Sequence, residues 1–376
     1  MPASTIQVPL LRLLLAIMSS PFSFQIVPWK DFSLGQKQTW EQWRSHQPVL
    51  RSPFFSVDFS DVVASSGRNV DVLVGISGHQ EVAYWPIEFC ENRRAVPVGG
   101  LFNDEHGMVV APDCPLRYSD VLSAGILDRY TYHAMSGSVS SVSFDFETHT
   151  SFLADLDAPP QGYVPFLEES RNTILKQKRK TKKMVRDLGP LRLVFDERSP
   201  SVFEQAIAWK RAQYQRTYLF DILSVDWATS MLRRFWEESH RDCRGLLSAL
   251  YAGPTLVAVH FGLLERDWLH YWFPSYDSQY HAYSPGTALF LEIARQSQTH
   301  GLRFIDMGYG EPEYKQKLTN RVRSVSQGIL TASASQWHYH QCRHHARVAL
   351  KSIPLKQTCK RLLRSVFPSW GQSKYQ

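Results

Sequence analysis

The residues of this chain best suited to moving protons and holding anions lie between positions 260 and 315. His260 and His270 are ten positions apart, Asp277 and Asp306 each follow a hydrophobic run, and Tyr314 and Lys315 stand side by side. Imidazole and carboxylate accept protons, and a phenol with a pKa near 10 can give one up at neutral pH. An ammonium group holds phosphate or carboxylate as a point charge. His270 and Asp277 are the base candidates. Between them and Asp306 lies Ser284-Pro285-Gly286-Thr287. Ser can cap a helix, Pro suits its first position, and Gly lets a phosphate approach the backbone at the helix N-terminus. A further cluster, His338, His340 and Cys342, would share one face of a strand and offer zinc ligands. It lies past the last expected strand among positive charges, so no metal is expected there.

These side chains need elements to position them. In the first half, 33–46 reads as a short helix, and 70–76 with 81–89 as a hairpin turned at Ser77-Gly78-His79-Gln80. Residues 96–110 are strand and loop, with turns at Gly99-Gly100 and Asn103–Gly107. The pattern predicts a helix in 115–136 and extended chain in 139–148 and 164–167. Asp157-Ala-Pro-Pro-Gln-Gly162 punctuates the chain before a helical stretch at 168–188. The second half reads as strand 191–195, helices 200–216 and 227–240, hairpin 246–252 with 255–264, and strand 268–276. Helix 285–300, strand 304–307, helix 311–319 and strand 326–333 follow. Pro274 cannot donate to a ladder and is expected to splay its strand from a neighbour. No internal repeat is visible.

A length of 376 residues suits two domains, and 43% apolar residues suffice for a core. The net charge of +7 hides an asymmetry. No Asp or Glu follows Glu313, whereas 12 Lys and Arg do, and 171–186 holds 8 more with no acid among them. Two basic strips on an acidic body fit a polyanionic ligand or an anionic surface better than a dedicated nucleic-acid binder. A solvated helix face or a phosphate-contacting helix each explains the run from Arg171. Five widely spaced cysteines without a C-x-x-C favour reduced thiols in the cytoplasm. The apolar stretch 8–18 is interrupted by Arg12 and is too short to span a bilayer. Translation from Met18 would make 1–17 a non-structural extension. Residues 347–370 mix apolar and basic side chains, which suits either a docked helix or peripheral membrane contact.

The order β-α-α-β-β-β-α-β-α-β in the second half is that of GNAT acyltransferases. The string Phe261-Gly262, His270-Tyr271-Trp272-Phe273-Pro274-Ser275-Tyr276-Asp277, Tyr280, Tyr283-Ser284-Pro285-Gly286, then Asp306-Met307-Gly308-Tyr309-Gly310 and Tyr314-Lys315, resembles the GNAT family of bacterial cellulose and exopolysaccharide biosynthesis. Lys210-Arg211, Gln213-Tyr214 and Asp221 are similar too. Its relatives include the peptidoglycan aminoacyltransferases, which carry two GNAT-like domains. The resemblance implies an α/β fold of two tandem GNAT-like halves, 18–160 and 191–337, joined by a basic helical connector at 161–190 and followed by a basic tail at 338–376. It implies direct transfer from acyl-CoA, acetyl or longer, to an amine or hydroxyl of a sugar or cell-envelope precursor. Phe273, Pro274, Tyr283, Ser284, Pro285, Gly286 and Thr287 would bind that co-substrate. Tyr314 would be the acid, and Asp306 or Asp277 would orient the amine. Lys315 would hold phosphate or carboxylate. The R/Q-x-x-G-x-G/A signature is missing, which leaves open aminoacyl-tRNA as donor or a non-catalytic scaffold.

Overall fold

The computed structural model describes residues 21–91, 93–136, 143–310 and 313–352. The extension at 1–17 and the tail after 352 lie outside these residues. Chain order in the first half is β1 (Phe22–Pro28), α1 (Leu34–Ser45), α2 (Val57–Ser65), β2 (Asp71–Ser77), β3 (Gln80–Glu91) and β4 (Arg94–Pro97). Then come the short β5 (Val109–Val110), α3 (Tyr118–Ser123), β6 (Arg129–Ser136) and β7 (Ser143–Asp155). Helices α4 (Tyr163–Ser170) and α5 (Asn172–Leu188) lead into the second half. That half runs β8 (Leu191–Val194), α6 (Pro200–Thr217), α7 (Asp226–Glu237), β9 (Cys243–Ala252), β10 (Thr255–Glu265) and β11 (Trp268–Tyr276). It closes with α8 (Pro285–Arg295), β12 (Phe304–Tyr309), α9 (Glu313–Leu318), β13 (Arg321–Leu330) and α10 (Ala334–Ser352).

The strands form one mixed sheet in the order β1-β2-β3-β4-β6-β13-β7-β12-β11-β10-β9-β8, with β5 on β3. Read from either edge, each half contributes five strands in chain order, and the two sixth strands trade places. β7 pairs with β12 of the other half, β13 pairs with β6, and the two traded strands pair with each other. This is the repeat that sequence comparison by eye does not reveal. In each half the fourth and fifth strands are parallel, β4 with β6 and β11 with β12. Both parallel pairs are short. The first has two residue pairs and the second three, ending at His270↔Asp306, beyond which the strands part into a fork. Pro274 lies four residues past that point, so the fork opens before the proline.

Several local readings change. Residues 129–136 are strand, not helix, because Tyr130, Tyr132 and Ala134 are buried alternately, the period of a pleated surface. Residues 164–167 are helical, within α4. The expected helix at 168–188 is two helices broken at Arg171, which has extended φ/ψ and whose guanidinium is spent on the carbonyls of Gln316 and Thr319 at the end of α9. The 338–345 run is helical, which removes the strand face expected for His338, His340 and Cys342.

The two halves share a core in which Trp40, Phe54 and Phe59 pack with Phe203, Phe235 and Phe261. Across it the α1 residue Arg44 makes a bidentate pair with Glu265 at the end of β10, each side chain 5% exposed. Arg44 also donates to the carbonyls of Leu50 and Ser52, so all its edges are used. Breaking one side strands a buried charge. Arg44→Met should therefore cost about 3–5 kcal/mol in denaturant unfolding, and Arg44→Met with Glu265→Leu should recover most of it. A loss under 1 kcal/mol in the single variant would show the pair to be dispensable.

Candidate functional site

The fork between β11 and β12 brings together charges from both halves. His270, on the last paired position of β11, is 1% exposed. Its Nε2 lies 3.1 Å from Asp104 Oδ2 and its Nδ1 3.6 Å from Asp306 Oδ2. Asp306, on β12, accepts from Arg323 Nη2 at 2.6 Å and from the Gly308 amide at 2.9 Å. Arg323, on β13, also reaches Glu105 Oε1 at 2.8 Å, and Ser136 donates to that same oxygen. The chain of contacts thus runs from the Asp104–Glu105 turn of the first half to three strands of the second.

Two glycines make the geometry. At Gly262 a Cβ would stand 2.2 Å from the His270 carbonyl and 2.7 Å from the His260 ring, so only glycine lets β10 bulge beneath β11. Gly308 has φ +69°, and a Cβ there would press within 3.1 Å of the Asp104 carboxylate.

Burial alone would lower the His270 pKa, but hydrogen bonds and attraction from Asp104 and Asp306 outweigh it and raise the imidazole to about 9. Burial opposes ionisation of Asp306, yet Arg323 and His270 hold its carboxyl well below the usual carboxylate range. His270 is therefore an imidazolium at neutral pH and not the base expected of it. His260 is no base either. It is fully buried and stacked 3.8 Å from Tyr271, and burial drives its pKa well down. Asp277, seven residues beyond His270 and so roughly 20 Å along extended chain, caps the following turn through the Gln279 amide. Besides Asp306, the carboxylate that faces the imidazolium is Asp104, which sequence reading left in a turn. Asn103–Gly107, with two acids in five residues, was the available signal.

Beside the fork, Lys315 donates to the Tyr309 carbonyl at 2.8 Å, and burial lowers its pKa against the pull of Asp104 and Asp306. Tyr314 is 42% exposed as a residue, and burial around its hydroxyl pushes the pKa up, so it stays protonated. Tyr314 borders a slot of about 250 Å³ with Lys176, Lys180, Lys317, Ser284 and Thr287. Ser284 has φ +52° at the start of α8, and its Oγ accepts from Lys180 at 2.9 Å. Pro285 has no amide hydrogen, and the Thr287 amide turns back to the Ser284 carbonyl. At Gly286 a Cβ would meet only Tyr276 at 3.7 Å, so the protein itself would accommodate one. Tyr283 donates to Asp187. Phe273 packs in the core beside Phe102 and Trp272, and the Pro274 carbonyl accepts from Lys210 at 3.3 Å.

The parting of β4 and β6 opens a larger cleft of about 540 Å³ in the first half, bordered by Arg68, Phe102, Arg129, Trp227, His340 and His344. His133 on its wall stands 6.4 Å from the ring of Tyr309, the residue that bonds Lys315. Among the described residues no group of three or more His, Cys, Asp or Glu is arranged to hold a metal ion. No described helix is long and apolar enough to cross a membrane.

Residues 170–316 match the family model of the acetyltransferase (GNAT) domain. No curated protein matches the chain. Among solved structures, the chain is similar to FemX, with 8% identity, a TM-score of 0.49, and 81% of this chain and 97% of that one covered. It is similar to a tandem GNAT protein from the clavulanic acid biosynthesis pathway, with 12% identity, a TM-score of 0.47 and coverage of 83% and 99%. L-PGS from Bacillus licheniformis has 9% identity, a TM-score of 0.47 and coverage of 81% and 95%. The domain match and the strand order make this chain an acyltransferase with the GNAT fold.

The imidazolium has a consequence for stability. Between pH 6.5 and 9 an unfolded histidine has lost its proton while His270 keeps it. The folded state then binds more protons, so the His270 contribution to unfolding free energy should fall as pH rises through that window, by about 3 kcal/mol in all. His270→Gln should flatten the fall in denaturant titrations between pH 6 and 9.5. An equally steep fall in that variant would place the titration elsewhere.

Proposed function

We propose that the chain transfers an acyl group from acyl-CoA directly to an amine, or a hydroxyl, of a sugar or cell-envelope precursor. The observation that carries this reading is the fork at His270 and Asp306, with a lysine-lined slot on one side and a larger cleft on the other. The acyl thioester would enter the fork along β11, past Phe273 and Pro274. The phosphates would lie at Ser284–Thr287 among Lys176, Lys180 and Lys317. The acceptor would occupy the first-half cleft and reach the fork past His133 and Tyr309.

In that arrangement the acceptor nitrogen attacks the thioester carbon and the carbon–sulfur bond breaks. Asp104 takes the ammonium proton, with His270 fixing its carboxylate, and Asp306 and Arg323 hold His270 in place. Tyr314 gives its proton to the departing thiolate, a transfer that needs no pKa tuning for a phenol at neutral pH. A sugar or envelope precursor fits the mixed aromatic and cationic border of the cleft, where a ring stacks on Trp227 and charge meets Arg129. The resemblance to exopolysaccharide enzymes supports the same class.

A second reading has one observation in its favour. Along α5, Lys178 pairs with Glu168 and Arg186 with Asp187, while Lys176, Arg179, Lys182 and Lys183 line the same helix. A helix of 17 residues spans about 25 Å, farther than one pyrophosphate reaches, which suits an aminoacyl-tRNA donor. Binding of tRNA with a steep salt dependence, and none of acetyl-CoA, would select it.

Acetyl-CoA should raise the melting temperature of the purified chain, and amino sugars should release free thiol from it. Gly286→Val should melt as the parent does yet bind acetyl-CoA at least several-fold more weakly. Unchanged affinity would remove α8 from the phosphate site. Tyr314→Phe keeps the ring, so kcat should fall by roughly 10²–10⁴ with acetyl-CoA affinity within a few-fold. Nearly full kcat would make Tyr314 a packing residue, and a parallel loss of affinity would make its hydroxyl a binding contact.

A further inference from the structure

Helix α5 has three sides. Ile174, Gln177 and Met184 are buried and hold it on the body. Lys176 and Lys180 border the slot beside α8, where Lys180 donates to Ser284. The third side faces outward and carries Leu175, Arg179, Lys182 and Arg186, whose spacing makes one stripe along a helix. All four are exposed. Leu175 is 43% exposed, and Val185 on the flank of the stripe 38%. Arg186 pairs with Asp187 at 2.9 Å, and Lys178 with Glu168 of α4 at 2.6 Å. Among the described residues no carboxylate pairs with Arg179 or Lys182. The two ends of the chain do not supply a counter-charge, since 1–20 and 353–376 contain no Asp or Glu.

We propose that this outward side of α5 docks on an anionic lipid surface. From Leu175 to Arg186 the stripe runs about 16 Å, the reach of a surface and not of one anionic group. Its cations call for a field of negative charge, and each Lys or Arg close to anionic headgroups gains roughly five-fold in affinity. Its exposed aliphatic side chains call for an apolar layer just beneath. Leu175, Val185 and the methylene stems of Arg179 and Lys182 enter that layer while the charged heads stay among the phosphates. A nucleic acid answers only the first demand. Its phosphates attract the cations, but α5 has no aromatic residue on which a base could stack. Docking sets the lysine-lined slot, on the adjoining side of the same helix, beside the headgroups. The docking does not rest on the acyl-transfer reading.

The test sediments the full chain with vesicles of phosphatidylcholine alone, and of phosphatidylcholine and phosphatidylserine in equal parts. A charge variant combines Arg179→Gln with Lys182→Gln, and an apolar variant combines Leu175→Gln with Val185→Gln. The replaced side chains are exposed and Gln is a good helix former, so both should melt as the parent does. The parent should bind the mixed vesicles roughly 10-fold or more tighter than the phosphatidylcholine ones, and added salt should weaken it. The charge variant should lose roughly 10-fold or more of that affinity, and the apolar variant about three-fold with its charge unchanged. A charge variant that sediments as the parent does would overturn the proposal, because the binding would then belong to another part of the chain. So would a parent that does not distinguish the vesicles. In that case tRNA titrations and light scattering identify the occupant. Binding of tRNA that the charge variant loses and the apolar variant keeps gives the face to nucleic acid, and a dimer that the charge variant dissociates gives it to a second copy.

Discussion

The exchange of sixth strands is the constraint on which the rest of this molecule depends. Because β7 lies between β12 and β13, neither half closes its own sheet, and the two forks are held in one continuous backbone ladder. A hinge between the halves would have to break those ladders and the Arg44–Glu265 pair together. The distance between the two clefts is thereby fixed by strand spacing and not by a linker. A transferase gains from this, since effective concentration in the reacting pose depends on rigidity.

Within that frame the charges are arranged in series. Arg323 anchors Asp306, Asp306 and Asp104 anchor His270, and His270 presents Asp104 at the fork. Each buried ion has a partner with a fixed direction, so pairing outweighs the desolvation that would otherwise neutralise these groups. The result is a carboxylate backed by an imidazolium, with the polarity opposite to a histidine base steadied by an aspartate. Removing Arg323 from this series would disturb the proton held several ångströms away.

How much of this was readable in advance depends on sequence distance. The second half carried its periodicity locally, and the strand Trp268–Tyr276 and the start of α8 at Pro285 are where the pattern put them. His270, Asp306 and Lys315 were singled out from that local pattern and do meet at the fork. Asp104, Glu105 and Arg323 were not. Asp104 is 166 positions from His270, and Arg323 is 218 from Glu105, so no window holds both partners. The surroundings of His270 and Asp277 were out of reach for the same reason. A histidine's protonation depends on neighbours that the strand exchange delivers, and Asp277 belongs to the turn after β11. In the first half, Tyr130, Tyr132 and Ala134 alternate as a strand does, but the helical signal of α3 just before them masked it.

The traded strands also bear on how the chain is made. As the first half leaves a ribosome, β6 lacks its neighbour β13, which lies nearly two hundred residues further along. The edge of β6 and both edges of β7 therefore stay unsatisfied until synthesis is almost complete. Native pairing of this kind is non-local and slow to form, and open edges recruit other chains in the meantime. The architecture that makes the finished sheet rigid thus leaves the nascent one exposed, and favours partners that shield strand edges during translation.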